Sequence, residues 1–152
     1  MSEDPPPEGT SEVPRARGSV LALDLGAARI GVAVSDPERR VAIPLGTVRT
    51  GAPQDLKAVA ALVRDHAVAV VVVGDPVSLS GAATESSRHA AAFAQALRSV
   101  LAVPVELFDE RLTTVEAERR LSSAGVKGRR RREVVDQVAA TVILQSYLDR
   151  AE

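Results

Sequence analysis

The apolar run at residues 68–74, VAVVVVG, limits the possible folds of this chain more than any other segment. Its β-branched residues favour an extended backbone. A strand that is apolar at every position, rather than at alternate positions, has to be covered on both faces. The run therefore predicts the central strand of a layered α/β domain with helices packed on both sides of a sheet.

The segments around this strand supply the rest of such a domain. Apolar residues at 20–25 and 30–35, joined by a glycine-containing turn, predict a β-hairpin. Apolar residues at helical spacing predict helices at 53–65 and 85–101. The other predicted elements are strands at 41–48 and 103–108, a helix from Thr113 or Thr114 to Ser123, and a last helix at 131–149. In this order, strands one, four and five are expected to be parallel.

Residues 1–18 contain mostly Pro, Glu, Ser and Gly, so we predict a disordered acidic tail ahead of one domain at 19–152. The tail has no apolar segment of the kind found in signal peptides. The longest apolar run elsewhere is too short to cross a bilayer. We therefore expect a soluble cytoplasmic protein with no membrane partner. The absence of cysteine excludes disulfides, thiolate metal sites and thiol nucleophiles.

The formal net charge of −1 does not by itself indicate a nucleic-acid partner, so such a partner has to be inferred from local clustering. Lys127, Arg129, Arg130, Arg131 and Arg132 form one cluster, five cations within six residues. Such runs are usually solvated loops. Because this cluster lies close in sequence to the candidate acidic site described below, phosphate binding is the preferred interpretation. Aromatic residues make up only 2% of the chain, which argues against a base-stacking platform.

Acidic residues stand at the ends of two predicted parallel strands. Asp24 ends the first strand, and Asp109 and Glu110 end the fifth. The carboxyl ends of parallel strands meet at one edge of the sheet, where active sites of α/β proteins collect. Asp24 alone could also be a turn-forming residue that binds the hairpin backbone. Asp24, Asp109 and Glu110 together favour a functional site at this edge of the sheet.

The last predicted helix supplies a third acid, Asp136. It shares a helical stripe with Ala140 and Ile143, so it points towards packed structure. A buried aspartate in such a place either pairs with an arginine, for which Arg132 is the candidate, or binds a metal. Hard cations such as Mg²⁺ take carboxylate ligands, and two such ions can cleave a phosphodiester. We therefore predict a two-metal site for Mg²⁺ or Mn²⁺, with Asp24 as the bridging ligand.

Several polar residues are candidates for binding phosphate near this site. Arg29 follows the hairpin turn and Arg111 follows Glu110, and each could pair with an acid or hold a phosphate. Ser78 and Ser80 lie in the loop after the fourth strand, at the same edge. The two histidines, at positions 66 and 89, have no evident nucleophile partner and are expected on helix surfaces.

Four segments carry a family resemblance: LALDLGAARIGVAVSD, VVVVGDPVSLSG, FDERLTT and VVDQVAATVILQSYL. Together, and in this order, they resemble the YqgF family of small bacterial RNase H-like nucleases, which are also called Holliday-junction-resolvase-like. The resemblance extends from about Val20 to Leu148. It implies an RNase H-like α/β fold, a five-stranded mixed sheet of order 3-2-1-4-5 with strand 2 antiparallel, flanked by helices.

The resemblance also implies a divalent-metal nuclease with catalytic, metal-binding acids at Asp24, Glu110 and Asp136, and Asp109 is a further candidate ligand. The family is linked to maturation of the 5′ end of the 16S ribosomal RNA precursor, and was earlier proposed to resolve four-way DNA junctions. The expected partner is therefore structured RNA or branched DNA. A resolvase would need a homodimer, whereas RNA trimming could use a monomer. Two positions depart from the family pattern, Ala28 and Asp75.

Two other classes of function remain open. An Asp-x-Gly hairpin also resembles the phosphate-binding hairpin of sugar kinases and actin-like ATPases, although 152 residues leave no room for their second domain. A non-catalytic nucleic-acid adaptor that has kept the fold is the other alternative. Metal-dependent cleavage distinguishes a nuclease from an adaptor.

Overall fold

The computed structural model describes residues 17–117 and 131–150. Residues 1–16 lie outside this range, so the disordered tail and the domain boundary remain predictions. The elements are β1 (Ser19–Leu25), β2 (Arg29–Ser35), β3 (Ala42–Arg49), α1 (Gln54–Asp65), β4 (Val68–Asp75), α2 (Glu85–Val100), β5 (Val105–Asp109), a 3₁₀ helix (Glu110–Leu112) and α3 (Arg131–Arg150). Residues 115–117 begin the helix predicted after Thr114, whose Oγ1 accepts a hydrogen bond from the Ala117 amide at 3.0 Å.

The five strands form one sheet of order β3-β2-β1-β4-β5. β2 is antiparallel to both β1 and β3, whereas β4 is parallel to both β1 and β5. The predicted strand order and directions are therefore confirmed. Pro44 lies in β3, at the edge of the sheet, where a residue without an amide hydrogen is tolerated.

Alternation along the strands divides the core between the two faces of the sheet. Leu21 and Leu23 of β1 belong to the cluster that includes residues of α1 and α2. Val20 and Ala22 belong to the cluster that includes residues of α3. The same alternation directs Asp24, two residues beyond Ala22, to the α3 face. The buried β-branched run in β4 contributes to both clusters, as predicted for a central strand.

Helix α3 runs antiparallel to β1. Near its C-terminal end, the Gln145 side chain accepts a hydrogen bond from the Ala42 amide at 3.0 Å. The Tyr147 hydroxyl donates to Glu106 at 3.1 Å. Both partners lie near the amino ends of the parallel strands. The N-terminal turns of α3 therefore extend towards the carboxyl edge, since nine residues of helix span about 14 Å. Within the part of the chain that the structure describes, no helix is long and apolar enough to cross a membrane.

Candidate active site

Glu110 is the central acid of the carboxyl edge. It follows β5 directly and opens the 3₁₀ helix, where its side chain is half-buried. Burial, followed by the negative charges of Asp24, Asp75 and Asp109, raises its pKa from 4.5 to about 7. The carboxylates of β1, β4 and β5 are therefore near enough for their charges to interact. This clustering is what the sequence predicted for Asp24 and Glu110.

Gly74 provides the space that the Glu110 carboxylate occupies. A Cβ at position 74 would lie 2.6 Å from Glu110 Oε2 and 2.8 Å from Ile143 Cδ1. Both distances are below what real Cβ contacts show, so any side chain here would displace its neighbours. Gly74 thus lets both the acid and helix α3 approach β4 closely. Nothing in the sequence pattern singled this glycine out.

Asp24 lies on β1, the strand next to β4, at the same level along the sheet as Gly74. Leu23 of β1 pairs with Val73 of β4, and Asp24 and Gly74 follow one residue further along each strand. On the other side, Asp24 is opposite Gly31 of β2. The aspartate is half-buried and held on a strand whose preceding residues are fully buried, so its position is rigid. The strand, rather than a flexible turn, determines where this carboxylate lies.

Asp136 lies on the second turn of α3, and its side chain is outside what the structure describes. Ile143 lies seven residues later on the same helical stripe, and its Cδ1 packs next to Gly74. Two helical turns, about 10 Å, separate the two positions. Ala140 and Ile143 are both buried, as predicted for this stripe. Asp136 therefore belongs to the N-terminal turns of α3, the end of the helix that extends towards the carboxyl edge, and its role as a ligand remains a prediction.

Asp109 and Arg111 form an ion pair beside Glu110. The Nε and Nη2 nitrogens of Arg111 donate to the Asp109 carboxylate, and its Nη1 donates to the Leu79 carbonyl at 3.2 Å. The guanidinium lowers the pKa of Asp109, and the carboxylate raises the pKa of Arg111. Of the two roles predicted for Arg111, the structure shows the pairing with an acid. Because Asp109 is engaged in this pair, Glu110 is the better candidate for the second metal ligand.

The serines predicted to bind nucleic acid are used within their own loop. Ser78 Oγ hydrogen-bonds Ser80 Oγ at 2.9 Å, and it accepts from the Ala82 amide at 3.1 Å. These bonds shape the loop that Arg111 holds through Leu79. A role for either serine in substrate binding remains a prediction.

The basic residues are only partly described. Arg29 opens β2 opposite Arg49 and is half-buried. Arg131 and Arg132 are the first residues of α3, at the end of the helix that extends towards the carboxyl edge. Lys127, Arg129 and Arg130 lie outside the described residues, so the phosphate-binding role of this cluster is untested.

A cavity of about 440 Å³ opens at the same edge, between the β1–β2 hairpin and the start of α2. It lies at the topological switch point between β1 and β4, where ligands of open α/β sheets bind. Its lining residues are Leu25, Gly26, Ala27, Thr50, Gly74, Pro76, Glu85, Ser86, His89, Ala90 and Glu110. Sequence reasoning missed this cavity. His89 is on the exposed helix surface, as expected, yet it lines a cavity shared with Glu110.

The donor chemistry fits a hard divalent cation. The chain has no cysteine, and the acids that interact at this edge offer only carboxylate oxygens, which Mg²⁺ and Mn²⁺ accept. Asp75 has one buried carboxylate oxygen without a hydrogen-bond partner among the described residues. Among the side chains that the structure describes, at 17–117 and 137–150, no three acidic or histidine residues form a metal-ligand group. Asp136, whose side chain is not described, stays a predicted ligand.

The five-stranded mixed sheet and its flanking helices define an RNase H-like fold. A Thermus thermophilus RuvC structure in complex with a Holliday junction substrate aligns with 88% of this chain and 96% of its own, with a TM-score of 0.53 and 16% identity. A second Thermus thermophilus RuvC structure gives a TM-score of 0.52 at 14% identity, covering 88% of this chain and 96% of its own. At these identities the likeness establishes the fold alone.

The sequence comparisons establish the family. The model of the RuvX family, described as Holliday junction resolvase, matches residues 18–150. A Thermobifida fusca protein is 54% identical over 140 residues, covering 87% of each chain. An Anaeromyxobacter dehalogenans protein is 50% identical over 131 residues, covering 86% of this chain and 96% of its own. Both are provisionally named pre-16S rRNA nucleases. The chain belongs to the RuvX family, also known as YqgF, which confirms the resemblance of the sequence motifs.

Proposed function

We propose that this chain is a divalent-metal-dependent endonuclease that processes the 5′ end of the 16S ribosomal RNA precursor in the cytoplasm. The observation that carries the proposal is the approach of the Glu110 carboxylate to Asp24 over Gly74, at the carboxyl edge of the sheet. Membership of the RuvX family and the names of relatives at about half identity support it.

In this proposal Asp24, Glu110 and Asp136 hold two Mg²⁺ or Mn²⁺ ions. When bound, such ions activate a water and stabilise the leaving oxygen of a phosphodiester. Asp24 supplies a rigid carboxylate because its strand is buried on both sides. With its pKa raised to about 7, Glu110 is partly protonated near neutral pH without metal, and has to lose this proton before it can act as a ligand. The Arg111–Asp109 pair fixes the backbone next to Glu110, and the basic residues at 127–132 bind substrate phosphates.

The test is a side-by-side cleavage assay. A precursor rRNA fragment and a four-way DNA junction are each incubated with the protein in Mg²⁺, in Mn²⁺ and in EDTA. We expect metal-dependent cleavage of the RNA near its mature 5′ end. Asp24→Asn and Asp136→Asn should abolish cleavage, whereas Asp65→Asn, at the exposed end of α1, should not. Equal cleavage by the parent, Asp24→Asn and Asp136→Asn would overturn the proposal.

A second candidate function is resolution of four-way DNA junctions, which the description of the family model favours. Resolution requires two active sites and therefore a homodimer. Paired symmetric incisions in the junction, together with a dimeric mass in solution, would support the resolvase over the RNA nuclease. Metal-independent binding of both nucleic acids without cleavage would instead support a non-catalytic adaptor.

A further inference from the structure

We propose that the cavity between the β1–β2 hairpin and the start of α2 takes up one unstacked nucleotide of the substrate strand, next to the bond that is cut. This inference rests on the proposed nuclease function and assigns a nucleoside-binding role to His89 and Ser86. The cavity shares Glu110 with the acidic site, so a nucleotide inside it would be adjacent to the reacting phosphate.

The size and walls of the cavity suit a nucleoside. Its volume of about 440 Å³ lies within the usual range for small-molecule sites. Leu25, Pro76 and Ala90 give apolar walls, which match the faces of a base. Ser86 and His89 add hydrogen-bonding groups for the edge of a base or for a ribose hydroxyl. Enzymes that act on unstacked nucleotides use pockets of this mixed character.

The charges around the cavity favour a base or ribose over a phosphate. Glu85 and Glu110 both line it, and none of the described residues that line it is lysine or arginine. The Glu85 carboxylate would repel a phosphate from this space. The phosphate is therefore expected on the α3 side, where the acids would hold metal ions and where the first arginines of α3 stand.

Ser86 and His89 are placed to act together. They are three residues apart on α2, so their side chains are neighbours on one face of the helix. Thr84 fixes this end of the helix, because its hydroxyl accepts a hydrogen bond from the Ser87 amide at 3.0 Å. Since the chain contains few aromatic residues, recognition of the base would depend on these polar groups and on shape rather than on stacking.

The chain has two histidines, which makes a direct test possible. The imidazole proton signals of His66 and His89 are assigned by NMR from the variants His66→Gln and His89→Gln. The full-length protein in EDTA is then titrated with a short single-stranded RNA, with the same RNA as a duplex, and with inorganic phosphate. We expect the single strand to shift the His89 signal, the duplex to shift it less, and His66 to be unaffected.

Three results would overturn the inference: no shift of His89 with the single strand, equal shifts of both histidines, or an equal shift of His89 with inorganic phosphate. This readout needs no cleavage, so it fails separately from the proposed function. A His89 shift in a protein that cuts neither substrate would support the nucleotide pocket and contradict the nuclease function. Cleavage without a His89 shift would support the nuclease function and contradict the nucleotide pocket.

A second experiment blocks the cavity with a bulky side chain. Ser86→Trp places a bulky side chain at an exposed lining position, whereas Ser99→Trp makes the same change in the last turn of α2. We expect Ser86→Trp to raise KM for single-stranded RNA about tenfold or more, with unchanged thermal stability, and Ser99→Trp to leave KM as in the parent. An unchanged KM in both variants would contradict a nucleotide in this cavity.

Discussion

The Glu110 carboxylate lies over Gly74, where a Cβ would come within 2.6 Å of its Oε2. This close approach lets an acid from the end of β5 reach across β4 towards Asp24 on β1. It also brings Ile143 of α3 against the same point, at 2.8 Å from such a Cβ. The arrangement of the site therefore depends on the absence of one side chain in the central strand.

Gly74→Ala is expected to destabilise the protein and to reduce cleavage strongly. The added methyl group overlaps Ile143 Cδ1 in a packed core, which typically costs about 1–3 kcal/mol. Urea unfolding measures the loss. Ile143→Val, which removes one of the two overlapping contacts, should cost about 1 kcal/mol in the parent. In the Gly74→Ala background it should cost less or restore stability. Additive losses would contradict the close contact.

Glu110→Gln is expected to change how stability depends on pH. The folded protein holds the Glu110 proton up to about pH 7, whereas the unfolded chain releases it near pH 4.5. The folded state therefore binds more protons between these values, so the stability of the parent falls as pH rises from about 4.5 to 7. Glutamine has no such proton to lose.

This difference is measured by thermal unfolding in EDTA at pH 4 and pH 8. The two proteins should have similar melting temperatures at pH 4, and the glutamine variant should melt higher than the parent at pH 8. A difference that is the same at both pH values would mean that Glu110 is not in the environment described. Glu106→Gln, at an exposed position earlier in β5, is the control.

Arg111→Ala is expected to loosen the loop after β4 while changing global stability little. The ion pair with Asp109 is partly exposed, and such pairs contribute little to stability. The lost hydrogen bond to the Leu79 carbonyl, however, anchors the loop. Hydrogen exchange of the Gly81 amide, which donates to the Ser78 carbonyl at 2.8 Å, should accelerate. Arg64→Ala, which removes an exposed pair with Asp65, should not accelerate it.

Replacing Arg129–Arg132 with alanine is expected to reduce the salt dependence of RNA binding. Each phosphate contact with a single strand contributes about 0.7 to the slope of log affinity against log salt, so losing four contacts should reduce the slope by roughly 3. Fluorescence anisotropy between 50 and 200 mM salt measures this slope. Replacing Lys57 and Arg64, both exposed on α1, should leave it nearly unchanged. An unchanged slope in the first variant would show that Arg129–Arg132 do not contact the RNA phosphates.

The sheet could be predicted because its signals are local. The buried run of β4 and the hairpin at 20–35 each reveal their structure within a few residues, and the resemblance supplied the strand order, which the structure confirmed. Asp24 and Glu110 could be placed together because they lie at the carboxyl ends of two parallel strands, β1 and β5. To predict that the two carboxylates converge, it is enough to know that their strands run parallel.

Other features depend on contacts between segments distant in the sequence. The role of Gly74 requires β4, β5 and α3 to meet at one point. The cavity combines residues from 25 to 110, and no short motif marks it. The choice between Asp109 and Glu110 depended on local geometry. Asp109 accepts a hydrogen bond from the Arg111 amide at 2.9 Å, at the start of the 3₁₀ helix, and this turns its carboxylate towards Arg111.

Asp24 and Asp136 are expected to act in one metal-dependent catalytic centre. Single-turnover cleavage of the precursor rRNA fragment in Mg²⁺ tests this, with Asp24→Asn, Asp136→Asn and the double variant compared with the parent. Residues that act as a unit are not additive. We predict that each single variant loses about a hundredfold or more in rate, equivalent to about 3 kcal/mol, and that the double variant loses no more than the singles. Parent-like rates in either single variant would show that the two residues do not share a catalytic centre.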